Sequence, residues 1–329
     1  DTAATVTGRV SRTVPAVPSG LVTAAVTSAR ALRKEVGGFV AVDGIDFDVE
    51  QGESVGFLGP NGAGKTSTMR MIGCVSPITA GQLRIFGLDP GDDGSAIRAR
   101  MGVVPQADQL DPELTVMENL VIYGRYFDIS RRDSRERASE LLDFVQLSER
   151  AHDLVDPLSG GMKRRLTIAR SLMSDPDLLL LDEPTTGLDP QARHILWDRL
   201  YRLKQDGVTL VITTHYMDEA EQLCDRLVVM DRGHIVAEGS PRSLIQQYAT
   251  REVLELRFPI GDAETHETDV GGIGDRIETL PDRLLIYVRD GDEALAEVHR
   301  RGLDPVGSLV RRASLEDVFL RLTGRTLID

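Results

Sequence analysis

The chain has 329 residues, of which 41% are hydrophobic, so it can form two domains, each with its own core. Its formal net charge of −14 at pH 7 argues against a surface that binds nucleic acids in general. No apolar run is long enough to span a bilayer, and residues 1–28 lack the continuous apolar core of a secretory signal. The two cysteines, Cys74 and Cys224, are too few for a disulfide framework and fit a reducing compartment.

The first predicted elements precede a glycine-rich segment. Residues 1–28 are rich in Ala, Thr, Val and Ser, and we expect a flexible extension there. Apolar residues at 45, 47 and 49 alternate with acidic ones, which predicts a half-buried strand. A turn at Gln51–Glu53 leads into the apolar run Val55–Leu58, the next predicted strand.

The segment directly after this run fits the phosphate-binding pattern G-x-x-x-x-G-K-[ST]. Its glycines let backbone N–H groups turn towards a polyphosphate, and a helix that begins near Gly64 adds the positive end of its dipole. Lys65 can reach the β- and γ-phosphates, and the Thr66 hydroxyl can bind Mg²⁺. The residues predicted to bind the nucleotide are Gly59, Pro60, Asn61, Gly62, Ala63, Gly64, Lys65, Thr66 and Ser67.

A strand and its carboxylates are predicted at residues 178–183. Four leucines, 178–181, indicate a strand buried on both faces, which brings Asp182 and Glu183 to the C-terminal edge of a parallel sheet. Asp182 is placed to hold Mg²⁺ through water, and Glu183 to act as general base on the attacking water. In the alternative interpretation, both carboxylates only cap the following turn.

Five motifs in a fixed order identify the family that the chain resembles. They are Val103-Val104-Pro105-Gln106, Leu158-Ser159-Gly160-Gly161-Met162, Leu181-Asp182-Glu183-Pro184, Gly187-Leu188-Asp189 and Thr213-Thr214-His215, with the phosphate-binding segment before them. Taken alone, the second is a glycine turn before a helix and the third a common strand end. Together they closely resemble the ATP-binding cassette of ABC transporters, over about residues 30–248.

The resemblance implies an α/β fold of the P-loop NTPase type. It consists of a RecA-like parallel-sheet core, an antiparallel β subdomain and a helical subdomain at about residues 108–175, within a nucleotide-binding domain at 29–248. In the family, a groove between the subdomains receives short helices from the membrane subunits. Residues 249–329 are predicted to form a small α+β C-terminal domain.

The resemblance also implies the roles of the remaining site residues. Gln106 would contact Mg²⁺ or the attacking water, and His215 the γ-phosphate. The cap formed by Ser159, Gly160 and Gly161 before a helix near Met162 would close in trans over ATP held by a second copy, and Asp189 would cross the same interface. The predicted catalytic residues are therefore Glu183, His215, Gln106 and Lys65; the Mg²⁺ ligands are Thr66, Gln106 and Asp182; the trans contacts are Ser159, Gly160, Gly161, Met162 and Asp189.

One position departs from the family pattern. Family members usually carry an aromatic residue upstream of the phosphate-binding segment that stacks on adenine, and Val36 stands there in this chain. Losing the stacking face could cost on the order of 1 kcal/mol. Phe39 could substitute, although its spacing differs from the pattern.

The C-terminal segment has its own predicted elements. Strands are expected at 252–258, 283–288 and 306–312, and helices at 293–301 and 315–322. The run Ser314–Arg325 looks like the end of the C-terminal domain in exporter ATPases of the daunorubicin-resistance and nodulation-factor type. Residues 73–77 and 108–127 favour the nodulation-factor branch.

The function implied is that of an ATP-hydrolysing subunit, with ATP and Mg²⁺ as cofactors. Two copies would dimerise around ATP at the cytoplasmic face of the bacterial plasma membrane and drive export of a drug, lipid or lipo-oligosaccharide. The expected partner is an ABC-2 type permease in two copies, and no nucleic acid is expected. A non-transport ABC ATPase and a nucleotide-switch module without turnover are the alternatives. The single cassette disfavours the first, and the intact Asp182, Glu183, Gln106 and His215 disfavour the second.

Overall fold

The computed structural model describes residues 25–324, which form two units that divide between Val236 and Ala237. The strands of the first unit are β1 (Thr27–Val36), β2 (Phe39–Val49), β3 (Ser54–Leu58), β4 (Ala80–Ile85), β5 (Met101–Val104), β6 (Leu178–Asp182), β7 (Thr209–Thr214), β8 (Arg226–Asp231) and β9 (His234–Gly239), which runs across the boundary. Its helices are α1 (Lys65–Ile72), α2 (Gly94–Arg98), α3 (Val116–Gly124), α4 (Arg131–Phe144), α5 (Gly160–Ser171), α6 (Pro190–Gln205) and α7 (Met217–Leu223).

A six-stranded sheet forms the centre of the first unit, in the order β5-β6-β7-β3-β8-β9. The pairs from β5 to β8 are parallel, so their C-terminal ends meet at one edge. β3, β6 and β7 are buried along their whole length, as continuous apolar strands covered on both faces must be. This edge is where the sequence predicted the catalytic carboxylates.

A separate antiparallel sheet, in the order β2-β1-β4, carries the predicted alternating strand. Within β2, Ile45, Phe47 and Val49 are buried, whereas Asp46 faces outward. The core beneath includes an edge-to-face contact between Phe47 and Phe57 of β3, which joins the two sheets.

Helices α3, α4 and α5 lie between β5 and β6 in the chain. Thr115 and Glu118 form a capping box at the start of α3, and Ser130 caps α4. The C-terminal part of α4 buries Leu141 and Leu142. These helices occupy the stretch in which the sequence predicted a helical subdomain.

The second unit is an antiparallel sheet with a helix on each face. Its elements are α8 (Pro241–Tyr248), β10 (Glu252–Arg257), β11 (Arg276–Leu280), β12 (Arg283–Val288), α9 (Gly291–Arg300), β13 (Gly307–Arg312) and α10 (Leu315–Thr323). The strand order is β11-β12-β10-β13. Leu254, Leu256 and Ile286 pack in one core with α9, whereas Val253 and Leu285 pack in the other with Leu320 of α10.

Three details differ from the sequence-based predictions. Most of the predicted extension, residues 1–24, lies outside the described residues, whereas its last two residues belong to β1. The division between the units precedes α8, whereas the sequence placed the domain boundary after residue 248. Helix α8 belongs to the second unit because it packs against α10. Strand β11 was missing from the prediction altogether.

Candidate functional site

The phosphate-binding segment forms a tight loop between β3 and α1. Gly64 precedes the helix with φ of 104°, a conformation that favours glycine. A Cβ at Gly64 would lie 2.6 Å from the carbonyl oxygen of Ala41, and a Cβ at Gly59 only 2.3 Å from that of Met230. Side chains at either position would therefore push the loop away from its neighbouring strands.

Lys65 is folded back into this loop. Its Nζ donates hydrogen bonds to the carbonyl oxygens of Gly59 at 2.6 Å and Pro60 at 3.0 Å. Burial lowers the pKa of Lys65, an effect that the nearby carboxylates of Glu183 and Asp182 oppose. The ammonium group therefore has carbonyl partners that a phosphate could replace.

Asp182 ends β6 and faces the start of α1. Its Oδ1 accepts a hydrogen bond from Thr66 Oγ1 at 3.3 Å and another from Thr213 Oγ1 on the adjacent strand β7. The structure thus brings together two of the three predicted Mg²⁺ ligands. The oxygen chemistry of this hydroxyl–carboxylate pair suits Mg²⁺, which commonly takes one or two protein carboxylates and completes its shell with water and phosphate.

Glu183 lies at the centre of a polar cluster. Its Oε2 accepts hydrogen bonds from Gln106 Nε2 and Thr186 Oγ1, both at 3.2 Å, and its Oε1 lies 3.4 Å from His215 Nδ1. The backbone at Glu183 has a φ of 45°, rare for a non-glycine residue, and its N–H donates to Thr213 Oγ1. This turn sends Glu183 away from Asp182, as expected for two carboxylates with different tasks.

The predicted trans contacts sit at two helix starts. Ser159 caps α5 by accepting from the Met162 N–H at 3.3 Å, and Asp189 caps α6 by accepting from the Ala192 N–H at 2.9 Å. Ser159, Gly160 and Asp189 are exposed. A Cβ at Gly161 would lie 2.9 Å from the Cβ of Ala192, so the two helix starts are in contact.

Arg164 is a residue of this site that sequence reasoning missed. It is only 4% exposed, and its guanidinium donates to the carbonyl oxygens of Pro184, Asp182 and Glu183, and to that of Pro105 before Gln106. It also pairs with Asp108 at 3.3 Å. Arg164 therefore joins α5 to the loops that carry Gln106 and Glu183. The buried residues of α5 are Arg164, Leu166, Thr167, Ile168, Ala169 and Ser171. Arg164, Thr167, Ile168 and Ser171 are spaced by three and four residues along one helical face, and this spacing is the sequence signal that could have revealed Arg164.

Val36 and Phe39 stand opposite each other at the end of the β1–β2 hairpin. Both are exposed, Val36 to 57% and Phe39 to 65%. Cross-strand partners present their side chains to the same face of a sheet. The ring of Phe39 therefore lies on the face of the hairpin from which an aromatic residue at position 36 would project.

Residues 25–324 contain neither a cluster of metal-binding side chains nor a membrane-spanning helix. No group of three or more His, Cys, Asp or Glu side chains there is arranged to hold a metal ion. No helix in that range combines the length and the apolarity that a bilayer crossing requires.

Two family models match the chain. The ABC transporter model covers residues 42–186, and the C-terminal domain of the nodulation factor export protein NodI covers residues 263–324. Among relatives, the Nod factor export ATP-binding protein I of Cupriavidus metallidurans is 46% identical, covering 93% of this chain and 99% of its own. The protein of the same name from Ralstonia nicotianae is 44% identical, covering 94% and 97%.

Solved structures of ATP-binding cassettes are also similar to this chain. A dimeric ATP-binding cassette in a post-hydrolysis state, bound to ADP and Pi, is 28% identical with a TM-score of 0.60, covering 65% of this chain and 98% of its own. The protein cbiO1 from Clostridium perfringens, part of the ABC transporter complex cbiONQ, is 26% identical with a TM-score of 0.63, covering 68% of this chain and 91% of its own. The predicted fold class is confirmed. The chain therefore belongs to the Nod factor export ATP-binding protein family and is an ABC-type ATPase subunit of an export system.

Proposed function

We propose that two copies of this chain hydrolyse MgATP at composite sites and thereby drive a separate ABC-2 type permease that exports a lipo-oligosaccharide. The observation that carries the ATPase mechanism is the cluster of Gln106, Glu183 and His215 beside the phosphate-binding loop. The names of the relatives, at 44–46% identity over more than nine-tenths of the chain, support the cargo class.

In this proposal Glu183 is the general base. Its carboxylate is nearly buried and already holds hydrogen bonds at Oε2, which leaves Oε1, on the side of His215, to accept a proton from water. Gln106 orients this carboxylate, and His215 contacts the γ-phosphate. Lys65 exchanges the Gly59 and Pro60 carbonyls for phosphate oxygens.

Mg²⁺ would be held by Thr66 and Asp182, whose side chains already meet, with Gln106 near the same edge of the sheet. When bound, the ion would neutralise negative charge on the phosphates. The residues Gly59 to Ser67 would hold the phosphates themselves through their N–H groups and the start of α1.

The second copy completes each site. The cap of α5, with Ser159, Gly160, Gly161 and Met162, would face ATP bound by the other copy, and Asp189 lies beside it at the start of α6. A solved cassette of this fold is dimeric in its post-hydrolysis state. With its permease, the dimer would sit at the cytoplasmic face of the bacterial plasma membrane.

The test of the general base is Glu183→Gln. We expect this change to leave ATP binding intact, to lower turnover by about 100-fold or more, and to accumulate an ATP-bound dimer. ATPase assays and size-exclusion chromatography with ATP measure these effects. Glu149→Gln, which removes an exposed carboxylate elsewhere, is the control and should leave both unchanged. Near-normal hydrolysis by Glu183→Gln would remove Glu183 from this role.

The cargo is tested with the full chain and the permease that co-purifies with it. Reconstituted vesicles should move a labelled lipo-oligosaccharide in an ATP-dependent manner. The Glu183→Gln complex serves as the inactive control. Transport of a drug or a phospholipid but not of the lipo-oligosaccharide would contradict the cargo assignment and leave the ATPase assignment intact.

A further inference from the structure

Within residues 25–324, one fully buried carboxylate near the site has no role in the proposed reaction. Glu219, on α7, has no exposed surface. Its Oε1 accepts a hydrogen bond from Trp197 Nε1 on α6 at 3.4 Å. Lys, Glu, Arg and Asp are rarely fully buried without partners, because burying a charged group costs free energy. A buried carboxylate at this place therefore suggests a specific role.

The surroundings of Glu219 come from both catalytic loops. The hydroxyl groups of Thr214 and Thr185 both lie beside the carboxyl group of Glu219. Thr214 immediately precedes His215, and Thr185 follows Glu183 by two residues. Its second oxygen, Oε2, has no well-formed hydrogen bond within residues 25–324. Burial raises the pKa of Glu219, and the two hydroxyls, the indole and the charge of Arg193 oppose this only in part.

A second contact joins α6 to the residue just before α7. The guanidinium of Arg193 lies over the ring of Tyr216, 4.6 Å from its centre, and Tyr216 directly follows His215. Asp189, Arg193 and Trp197 are spaced by four residues at and after the start of α6, so they share one face of that helix. Two contacts therefore join this face of α6 to the segment from His215 to Glu219: Trp197 contacts Glu219, and Arg193 contacts Tyr216.

We propose that Glu219 is a positioning residue of the ATPase site, which fixes the start of α6, and with it Asp189, relative to His215. The inference rests on the proposed function, since it concerns the same site. Glu219 contacts no reacting group and acts through Trp197, Thr214 and Thr185. Loss of its hydrogen bonds would let α6 shift against α7, and a displacement of about 1 Å can lower a rate by about 100-fold.

The test compares Glu219→Ala, Glu219→Gln and the control Asp218→Ala in the full-length chain. We expect Glu219→Ala to lower kcat by about 10- to 100-fold with KM for ATP unchanged, because Lys65 and the phosphate-binding loop are not touched. Glu219→Gln should restore most of kcat, since its amide oxygen can accept the hydrogen bond from the indole N–H in place of the carboxyl oxygen. Asp218, exposed on the same helix, should be dispensable.

Trp197 provides a direct readout because it is the only tryptophan in the chain. Glu219→Ala should shift its emission maximum, whereas Glu219→Gln and Asp218→Ala should keep the wild-type spectrum. Trp197→Phe removes the donor but retains an aromatic ring. It should show the same loss of kcat at unchanged KM, so the proposal stays testable if Glu219→Ala fails to fold, as checked by thermal unfolding.

The outcomes separate this inference from the ATPase proposal. Wild-type kcat in folded Glu219→Ala or in Trp197→Phe would overturn the positioning role. A fall in thermal stability with normal kcat below the melting temperature would also overturn it, because a purely structural residue behaves that way. Absence of ATP hydrolysis by the wild-type dimer would instead reject the proposed function.

Discussion

At the scale of single residues, Arg164 shows how one buried charge can organise a catalytic site. Its guanidinium satisfies carbonyl groups on both loops that carry the polar cluster, the loop before Gln106 and the loop after Asp182. Burial lowers the pKa of Arg164, but the nearby carboxylates of Asp108 and Asp182 oppose this effect. Because α5 also carries the exposed Ser159 cap, Arg164 connects the proposed trans contact with the proposed hydrolysis site.

Arg164→Met should therefore affect both stability and turnover. The apolar side chain fills similar space but leaves several buried carbonyls without their charged donor, which should lower the free energy of unfolding by about 3 kcal/mol. Turnover should fall because Gln106 and Glu183 lose their common support. Urea unfolding and ATPase assays measure the two effects. Arg165→Met, whose neighbouring guanidinium donates to Val145 instead, should lower turnover far less; equal losses would argue against a special role for Arg164.

The sequence suggested the residues that we propose to react, but it gave little sign of the residues that support them. Glu183 and Lys65 lie in local motifs whose spacing follows from the chemistry of phosphate binding. Arg164 and Glu219 do not, since whether a charged side chain is buried depends on partners distant in sequence. A charged residue on a helix is exposed by default, so only the burial pattern of α5 and α7 could have suggested otherwise.

At the scale of elements, α10 is held by Asp317. Burial alone would raise the pKa of this carboxyl group, but hydrogen bonds from Arg311 and from the Ser314 N–H lower it below its usual value. Ser314 and Asp317 also form the capping box of the helix. The carboxylate of Asp317 thus links α10 to Arg311 of β13 and also accepts a backbone hydrogen bond at the start of α10.

This arrangement predicts a pH-dependent stability of the second unit. Because the pKa of Asp317 is lower in the folded state than the unfolded value of about 3.9, its stabilisation is present above that pH and is lost as pH falls through the folded pKa. Asp317→Asn should cost about 3 kcal/mol at neutral pH and less at acidic pH. Chemical unfolding at both pH values measures this; Glu316→Gln, at an exposed neighbour, should cost little. An unchanged difference at low pH would contradict the assignment.

Elements were predictable where their pattern was local. β2 alternates with period two and β6 is a continuous leucine run, so the sequence of each strand alone predicts which of its residues are buried. β11 escaped prediction because all five of its residues are half-buried, with no alternation to mark a buried face. Its strand conformation is supported by pairing with β12, for example Ile277 opposite Ile286, and such pairing cannot be read from a short segment.

At the scale of the whole molecule, the two units differ in their relation to ATP. Every residue proposed to bind or hydrolyse it, from Gly59 to His215, belongs to the first unit. The second unit has its own cores on both faces of its sheet. A ligand that binds only the folded form stabilises it in proportion to RT ln(1 + [L]/Kd), about 2.7 kcal/mol at one hundred times Kd.

MgATP should therefore slow amide hydrogen exchange in α1, β6 and α5 and leave β10, β12 and α10 unchanged. Measured by mass spectrometry on the full chain, the protection should follow ATP concentration, because it reflects occupancy of the phosphate-binding loop. Lys65→Ala should abolish it, since the lost ammonium group is the main cation proposed to face the phosphates. If ATP protected β10 and β12 as strongly as β6, the second unit would have to take part in binding, and assignment of ATP to the first unit alone would fail.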